Sequence, residues 1–572
     1  MCIRLGYDRI ATVVKQRRRG GSTRARGVHA VAMAYDTNML VEASRAAIDA
    51  ALAAGRTRTN GGRAIDEHQV HAERLAYAAT EVAAAEALAA HAAERADAPV
   101  ARMAAAFAGE IAGKLRATIE QHWDDFGLDA AVFAGTLGRD EVRHAVRAAQ
   151  HEARLREIGA EVLRTRGANN GFIDGDMAEM ARDSARQFAR KEVAPIAERI
   201  HRHDELVPES ILRAMAELGY FGMSVTEEYG GQGMGNLVMI VITEELSTAS
   251  LASAGSLITR PEILTKALLK GGTEAQKKTW LPPVAAGELM VGISVTEPDT
   301  GSDVASVRCR AERGEERGVP GWFLSGAKAW CTFAGRANVL ALLARTNPDL
   351  SLGAKGLSLF VVPKDPFTGH EFEMRQPGGG AMHGKADATP GYRGMHSYTL
   401  TFDRYFVPAE NLIGEAQGEG KGFALQMQGF AAGRLQTGGR ACGVAQAALE
   451  TTATYASERK QFGRPIGDFQ LTQYKLGRMA THLAAARQLT YAAARAMDAD
   501  ESISLEPSMA KLFACDVAVW VTQEGQLLHG GWGYAEEFPI SRYVVDAQVL
   551  PIFEGVKPIL ELKVIARGLL GR

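Results

Sequence analysis

Hydrophobic and polar positions change period twice along this chain. Residues 33–166 are rich in Ala, Leu, Glu and Arg and nearly free of Pro, as in Glu81-Val-Ala-Ala-Ala-Glu-Ala-Leu-Ala-Ala. These are strong helix formers, so the pattern predicts a helical N-terminal extension, broken at Gly61-Gly62 and Ala98-Pro99. Gly167-Ala-Asn-Asn-Gly171 reads as a linker. Beyond it Met177, Met180, Ala181, Ala185, Phe188, Ala189 and Val193 recur at helical spacing, predicting an amphipathic helix that ends near Pro195. Further helices are expected over 208–218, 237–271 and 273–286, with a loop at the glycine-rich segment 228–235. Near Met290 the runs become short, β-branched and aromatic. Segments 292–296, 339–344, 357–362 and 398–402 are separated by Gly, Pro and Asp, the pattern of strands. From Phe423 onward long helical stretches return, over 437–460, 468–498 and 505–529. The predicted fold class is α+β and mainly helical. Its parts are a basic tail (1–32), the extension (33–166), a helical domain (172–289), a small β-barrel or sandwich (290–415) and a four-helix bundle (416–572).

Composition narrows the function classes. At 572 residues the chain exceeds what one core supports. A formal net charge of -2 argues against nucleic acid or an anionic membrane as partner. No apolar run is long enough for a membrane-spanning helix. Cys2, Cys309, Cys331, Cys442 and Cys515 are scattered, which fits neither a disulfide framework nor a metal site, and points to a reducing compartment. The first 30 residues set Arg4, Arg9, Lys15, Arg17, Arg18, Arg19, Arg24 and Arg26 against the single acid Asp8. That is the composition of a transit peptide, of a disordered tail, or of sequence preceding a start at Met33; the tail is the reading adopted.

Two stretches carry candidate chemistry. Pro551-Ile-Phe-Glu-Gly-Val556 sets Glu554 among apolar neighbours, where desolvation disfavours a charged carboxylate and suits a base that takes a proton from carbon. Ile293-Ser-Val-Thr-Glu-Pro-Asp-Thr-Gly-Ser-Asp303 ends a strand in a turn rich in hydroxyls and backbone N–H groups. It fits either a plain hairpin turn or a cradle for an anionic cofactor. Gly230–Gly235 and Gly418–Gly422 lack dinucleotide-fingerprint spacing, and no G-x-S-x-G elbow is present.

Thr296-Glu-Pro-Asp-Thr-Gly-Ser-Asp303 resembles the signature of the acyl-CoA dehydrogenase family, and four further motifs follow in that family's order. They are Lys328-Ala-Trp-Cys-Thr332, Glu458-Arg-Lys-Gln-Phe-Gly463, Gln526-Leu-Leu-His-Gly-Gly531 and Phe553-Glu-Gly555. The likeness spans about residues 175–572. It implies bound FAD, with Ile293, Val295, Thr296, Gly301, Ser302, Trp330 and Thr332 at the flavin or its phosphates. It implies that Arg459, Gln461, Phe462 and Gln470 reach the FAD of a neighbouring subunit in a homodimer or homotetramer, and that Gln526 and Gly530 lie under the adenosine side of FAD. Glu554 becomes the catalytic base, because Gly433 stands where some members place theirs. Ser302 and Gly555 would contact the acyl-CoA.

The extension, together with Gly429-Phe-Ala-Ala-Gly-Arg434 and Phe553-Glu-Gly-Val-Lys-Pro558, is similar to a bacterial branch acting on methylsuccinyl-CoA. A cytoplasmic enzyme passing electrons to an electron-transfer flavoprotein is then implied. A distal carboxylate needs hydroxyls or cations at the pocket's end, and the candidates are Ser256, Arg260, Arg434, Tyr534 and His383. The run from Pro377 to Gly384 reads equally as a flexible surface loop. Dehydrogenation of another short acyl-CoA, an O₂-using oxidase and a non-catalytic CoA-binding scaffold stay open at this level.

Overall fold

The computed structural model describes residues 26–571 apart from 96, 169–172, 174 and 501, with side chains from residue 36 onward and excepting 428. Most of the basic tail and the centre of the expected linker lie outside the described residues.

The extension is helical from Arg26, not from 33. Its main helices are α1 (Arg26–Arg58), α2 (Gln69–Arg95), α3 (Ala98–Gln121), α4 (Asp140–Ala149) and α5 (Glu152–Arg164). Alanine governs their packing, since Ala47, Ala51, Ala72, Ala76 and Ala112 are wholly buried beside Leu40, Ile48 and Leu75. Small side chains let helix axes approach closely.

The helical domain begins with α6 (Asp176–Phe188), which does not stop at Pro195. It passes through a π-turn over Ala189–Val193 into α7 (Ala194–His203). The wider turn resets the register so that Pro195, which has no N–H to give, falls in the first turn of the next segment. Then come α8 (Glu209–Glu217), α9 (Gly235–Ala249), a second π-turn at Leu251–Gly255, α10 (Glu262–Gly271) and α11 (Glu274–Ala285). A reciprocal capping box between Thr273 and Gln276 fixes the start of α11.

The middle domain is a curled sheet of eight strands: β1 (Val291–Ser294), β2 (Arg310–Glu316), β3 (Val319–Thr332), β4 (Val339–Arg345), β5 (Leu357–Pro363), β6 (Glu371–Arg375), β7 (Ala381–Ala386) and β8 (Ser397–Pro408). Their order is β1-β4-β2-β3-β8-β7-β6, with β5 on β4. Alternation along β4 explains its unbroken hydrophobic run. Leu340, Leu342 and Ala344 fill the inside of the sheet, while Val339, Ala341 and Leu343 pack with Leu264 and Leu268 of α10. The run at 377–384 is not a flexible loop. Pro377–Gly380 is the turn of a regular β6–β7 hairpin.

The C-terminal bundle comprises α12 (Gly422–Glu458), α13 (Gln470–Ala499), α14 (Leu505–His529) and α15 (Ile540–Ala547). Helix α5 of the extension lies on α13 with backbones touching. A Cβ at Gly159 would sit 1.8 Å from the Gln473 carbonyl oxygen, and one at Gly477 would sit 1.9 Å from that of Leu155. Among the described residues no helix is long and apolar enough to cross a membrane.

Candidate functional site

The loop after α15 presents Glu554 with φ +55°, a left-handed conformation that costs a non-glycine residue on the order of 1 kcal/mol. Gly555 follows at φ +99°. The surroundings hold this strained pair in place. Lys511 of α14, itself fully buried, donates from Nζ to the carbonyls of Phe553 and Gly555 at 2.5 Å each. The Lys557 N–H closes the loop on the Pro551 carbonyl at 3.0 Å. Burial pushes the Lys511 ammonium down to about 8.

Glu554 faces one stripe of α12. A Cβ at Gly433 would lie 3.0 Å from Glu554 Oε2, so the carboxylate occupies space that any side chain at 433 would invade. Gln426, Gly433 and Arg440 are seven residues apart, two helical turns each, and share that face. Gln426 and Arg440 are wholly buried. Arg440 donates to Thr437 Oγ1 (2.7 Å) and Ser256 Oγ (3.2 Å), and its guanidinium lies 4.8 Å from the centre of the Phe553 ring. Tyr392 meets the same ring edge-on at 5.5 Å. Arg260 turns onto the Ser256 carbonyl at 3.1 Å, and Arg434 reaches the Glu554 carbonyl at 3.4 Å. Burial pushes both Arg434 and Arg440 below the ordinary guanidinium value.

Several buried polar atoms here have no hydrogen-bond partner: Glu554 Oε2, Arg440 Nε, Tyr392 Oη and both amide atoms of Gln426. Buried polar groups are ordinarily paired, so this concentration of open valences marks a place where a ligand completes them. Among the described residues the Glu554 N–H also donates to nothing.

A second group is assembled by the β domain. The Ala329 N–H donates to the Thr296 carbonyl (2.9 Å), and Lys328 Nζ reaches the Val295 carbonyl (2.8 Å), bringing Ile293–Thr296 beside the end of β3. The 296–303 segment is indeed a hairpin turn, with Glu297 and Thr300 exchanging backbone bonds. Glu297 braces it by accepting from the Arg308 and Cys309 N–H groups at 2.7 Å, leaving Gly301 and Ser302 exposed. Trp330 sits at a register shift in β3 with φ +57°, and this bulge turns its indole outward, 60% exposed. Thr332 Oγ1 meets Ser397 Oγ at 3.1 Å. An outward planar indole beside free backbone suits one wall of a flat aromatic cofactor. Segment 392–397 joins this wall to the first group, through Ser397 at one end and Tyr392 at the other.

The third group stands apart. Arg459, Gln461, Phe462 and Gln470 are exposed around a two-stranded ribbon, Phe462 by 93%. Tyr455 stacks on His529 at 4.3 Å and ties the ribbon to Gln526 and the exposed Gly530.

Two sequence candidates fall away. His383 pairs with Glu371 at 3.1 Å on the outer β6–β7 hairpin, and Tyr534 is 88% exposed next to the third group. Neither lines the space before Glu554. Arg440, Gln426, Tyr392 and Lys511 were missed, although Arg440 and Gln426 repeat with Gly433 at a spacing that marks one helical face. Among the described residues Asp204, His370 and His396 form a further cluster of possible metal ligands. The Asp204 carboxylate there is already taken by His396 (3.1 Å) and Arg393 (3.2 Å).

Comparison with known proteins agrees with this geometry. Sequence models of the acyl-CoA dehydrogenase N-terminal domain match residues 175–288, those of the middle domain 292–405, and those of the C-terminal domain 420–570. The C-terminal-domain model also matches residues 37–150, so the extension is built on the pattern of the bundle it rests on. Over 394 residues the chain is 45% identical to (2S)-methylsuccinyl-CoA dehydrogenase of Cereibacter sphaeroides, covering 68% of this chain and 69% of that protein. It is 35% identical to 3-(aryl)acrylate reductase of Clostridium sporogenes, covering 68% of this chain and 98% of that protein. Butyryl-CoA dehydrogenase from Megasphaera elsdenii superposes with a TM-score of 0.63 at 29% identity, covering 70% of this chain and 99% of that one. The chain belongs to the acyl-CoA dehydrogenase family of FAD-dependent oxidoreductases that act on CH–CH bonds.

Proposed function

We propose that this enzyme converts (2S)-methylsuccinyl-CoA to mesaconyl-CoA. The observation that carries the reading is the set of cations before Glu554. Arg440 and Arg260 share Ser256, Arg434 lies against the Glu554 loop, and among the described residues none of the three has a carboxylate within ion-pair distance. A buried guanidinium without an anion is costly, and the substrate's distal carboxylate is the missing partner. A monocarboxylic acyl chain would leave that cost uncompensated. Methylsuccinyl-CoA also being the substrate named for a 45%-identical relative supports the choice.

In this reading Glu554 Oε2 takes the C2 proton. A thioester C2 proton is too weakly acidic for a carboxylate in water, so the chain must stabilise the developing enolate oxygen. The free N–H of Glu554 is placed in the same loop to donate to it. Lys511 and the loop closure hold carboxylate and amide in fixed relation, which lowers the entropy cost of the proton transfer. Bound FAD supplies the acceptor for the hydride leaving C3. Ile293, Val295, Thr296, Trp330 and Thr332 form the wall that holds it, with Gly301 and Ser302 toward its phosphates. Arg459, Gln461, Phe462 and Gln470, exposed in the single chain, serve the FAD of a second copy, Gln526 and Gly530 lie under the adenosine side of FAD, and an electron-transfer flavoprotein takes the electrons.

Anaerobic mixing with methylsuccinyl-, butyryl-, isobutyryl- and glutaryl-CoA, read by flavin bleaching, tests the reading. Methylsuccinyl-CoA bleaches fastest; bleaching by butyryl-CoA alone overturns the substrate. Glu554→Gln keeps FAD and loses about a thousandfold or more in reduction rate. Peroxide formation in air without added acceptor would make the enzyme an oxidase.

A further inference from the structure

A tyrosine of the extension reaches the residues that hold the catalytic loop. Tyr77, on α2, donates from Oη to Asp516 Oδ2 at 2.6 Å. Lys557, three residues after Glu554, donates from Nζ to the same oxygen at 2.6 Å. The Lys557 ammonium also lies 4.9 Å from the centre of the Tyr77 ring. Asp516 is thus shared between a residue of the extension and the residue that closes the Glu554 loop. Lys114 also lies 5.1 Å from the centre of the ring and is tied to Glu81 at 2.6 Å, so α3 and α2 together fix the tyrosine.

We propose that Tyr77 is a positioning residue for Glu554, and that the extension thereby sets the geometry of proton abstraction. The inference rests on the reading of Glu554 as the base. Helix α14 grips the loop twice, at Lys511 from within and at Asp516 from the extension side, and Tyr77 orients only the second grip. Lys557 has an alternative carboxylate, Glu561, at 3.9 Å. With its Tyr77 bond removed, Asp516 is free to rotate and Lys557 divides its time between the two acids. The loop end then shifts, and with it a residue already held in a left-handed conformation. Small displacements of a base cost rate steeply, because proton transfer requires near-attack geometry.

The test uses full-length holoenzyme and whichever of the four acyl-CoAs bleaches the wild type fastest. Tyr77→Phe keeps the ring and removes one hydroxyl. Glu110→Gln serves as the control. It weakens a different contact of the extension with the bundle, to Arg478 (3.0 Å) and His482 (3.1 Å) on α13. Expected for Y77F is a limiting flavin-reduction rate lower by about tenfold or more, with half-saturation within about twofold and unchanged FAD content. E110Q reduces flavin at the wild-type limiting rate. D516N matches Y77F, and the double variant is no slower than D516N. Equal limiting rates for Y77F and E110Q, with E554Q inactive, overturn this inference alone. E554Q active at the wild-type rate overturns it together with the assignment of the base.

Discussion

Two arginines are buried in the same helical bundle and are put to opposite uses. Arg487 on α13 donates to Glu244 at 2.7 Å and to Gln446 at 2.8 Å, and Tyr491 donates to the other Glu244 oxygen at 2.7 Å. Burial pulls its guanidinium down, but the attraction of Glu244 outweighs this and leaves it above the ordinary value. Arg440 on α12 is equally buried, has hydroxyls and a backbone carbonyl for partners, and keeps Nε unpaired. Burial leaves it below the ordinary value. The first is a closed network that joins α9, α12 and α13. The second is an open one, with no carboxylate among the described residues within ion-pair distance. Burial alone therefore says little about function; the balance of charge around the buried group separates structure from site.

Removing each arginine probes that difference. Arg487→Met leaves Glu244 buried without its cation and is expected to destabilise the fold by about 3–5 kcal/mol, read by chemical denaturation. Arg440→Met removes an uncompensated charge and should leave stability level or raised. Its loss appears instead in substrate use, with kcat/KM for methylsuccinyl-CoA falling by the equivalent of about 2–4 kcal/mol while any residual butyryl-CoA activity is kept or improved. If Arg440→Met destabilises as much as Arg487→Met, the two networks are the same kind of object and the distal-carboxylate assignment fails.

What the sequence made legible follows the same division. Helices were readable where one period dominated, and strands where a short apolar run was bounded by turn residues, as on β4, which is buried on both faces of the sheet. The Thr296–Asp303 turn and Phe553-Glu-Gly555 were readable because special backbone geometry demands special residues: turn formers in one, a glycine after a left-handed glutamate in the other. Arg434 reaches the Glu554 carbonyl, whereas Ser256 and Arg260 are linked to this region through Arg440. Arg440 was passed over because an arginine within a long alanine- and glycine-rich helix looks like any solvated one. Only packing shows that α12 is buried from residue 431 to 449, apart from the half-buried Arg434. His383 was misplaced for the converse reason, since a glycine-rich insertion looks mobile until the β6–β7 pairing is known. Pro195 misled because a proline breaks an α-helix but is accommodated after a π-turn.

A third buried charge lies between the two arginines in character and gives the smallest effect. Glu561 is 5% exposed, its Oε1 has no hydrogen bond, and its nearest cation is Lys557 at 3.9 Å. Burial raises its pKa from 4.5 to about 7, against the pull of Lys557, with Glu73 of α2 and Asp516 of α14 adding to the rise. The native state then keeps a proton that the unfolded chain gives up above about pH 4.5. Between these two values the native state binds more protons, so stability falls as pH rises and the loss is complete above about pH 7. The wild type should lose on the order of 2–3 kcal/mol between pH 5 and pH 8 relative to Glu561→Gln, measured as unfolding free energy. An equal pH slope in the two proteins would mean that the fold already matches the charge of Glu561. A steeper slope in the wild type places it with Arg440, as a group whose partner is only half supplied. In that case Lys557, already committed to Asp516, is the cation that the extension's Tyr77 keeps from crossing over.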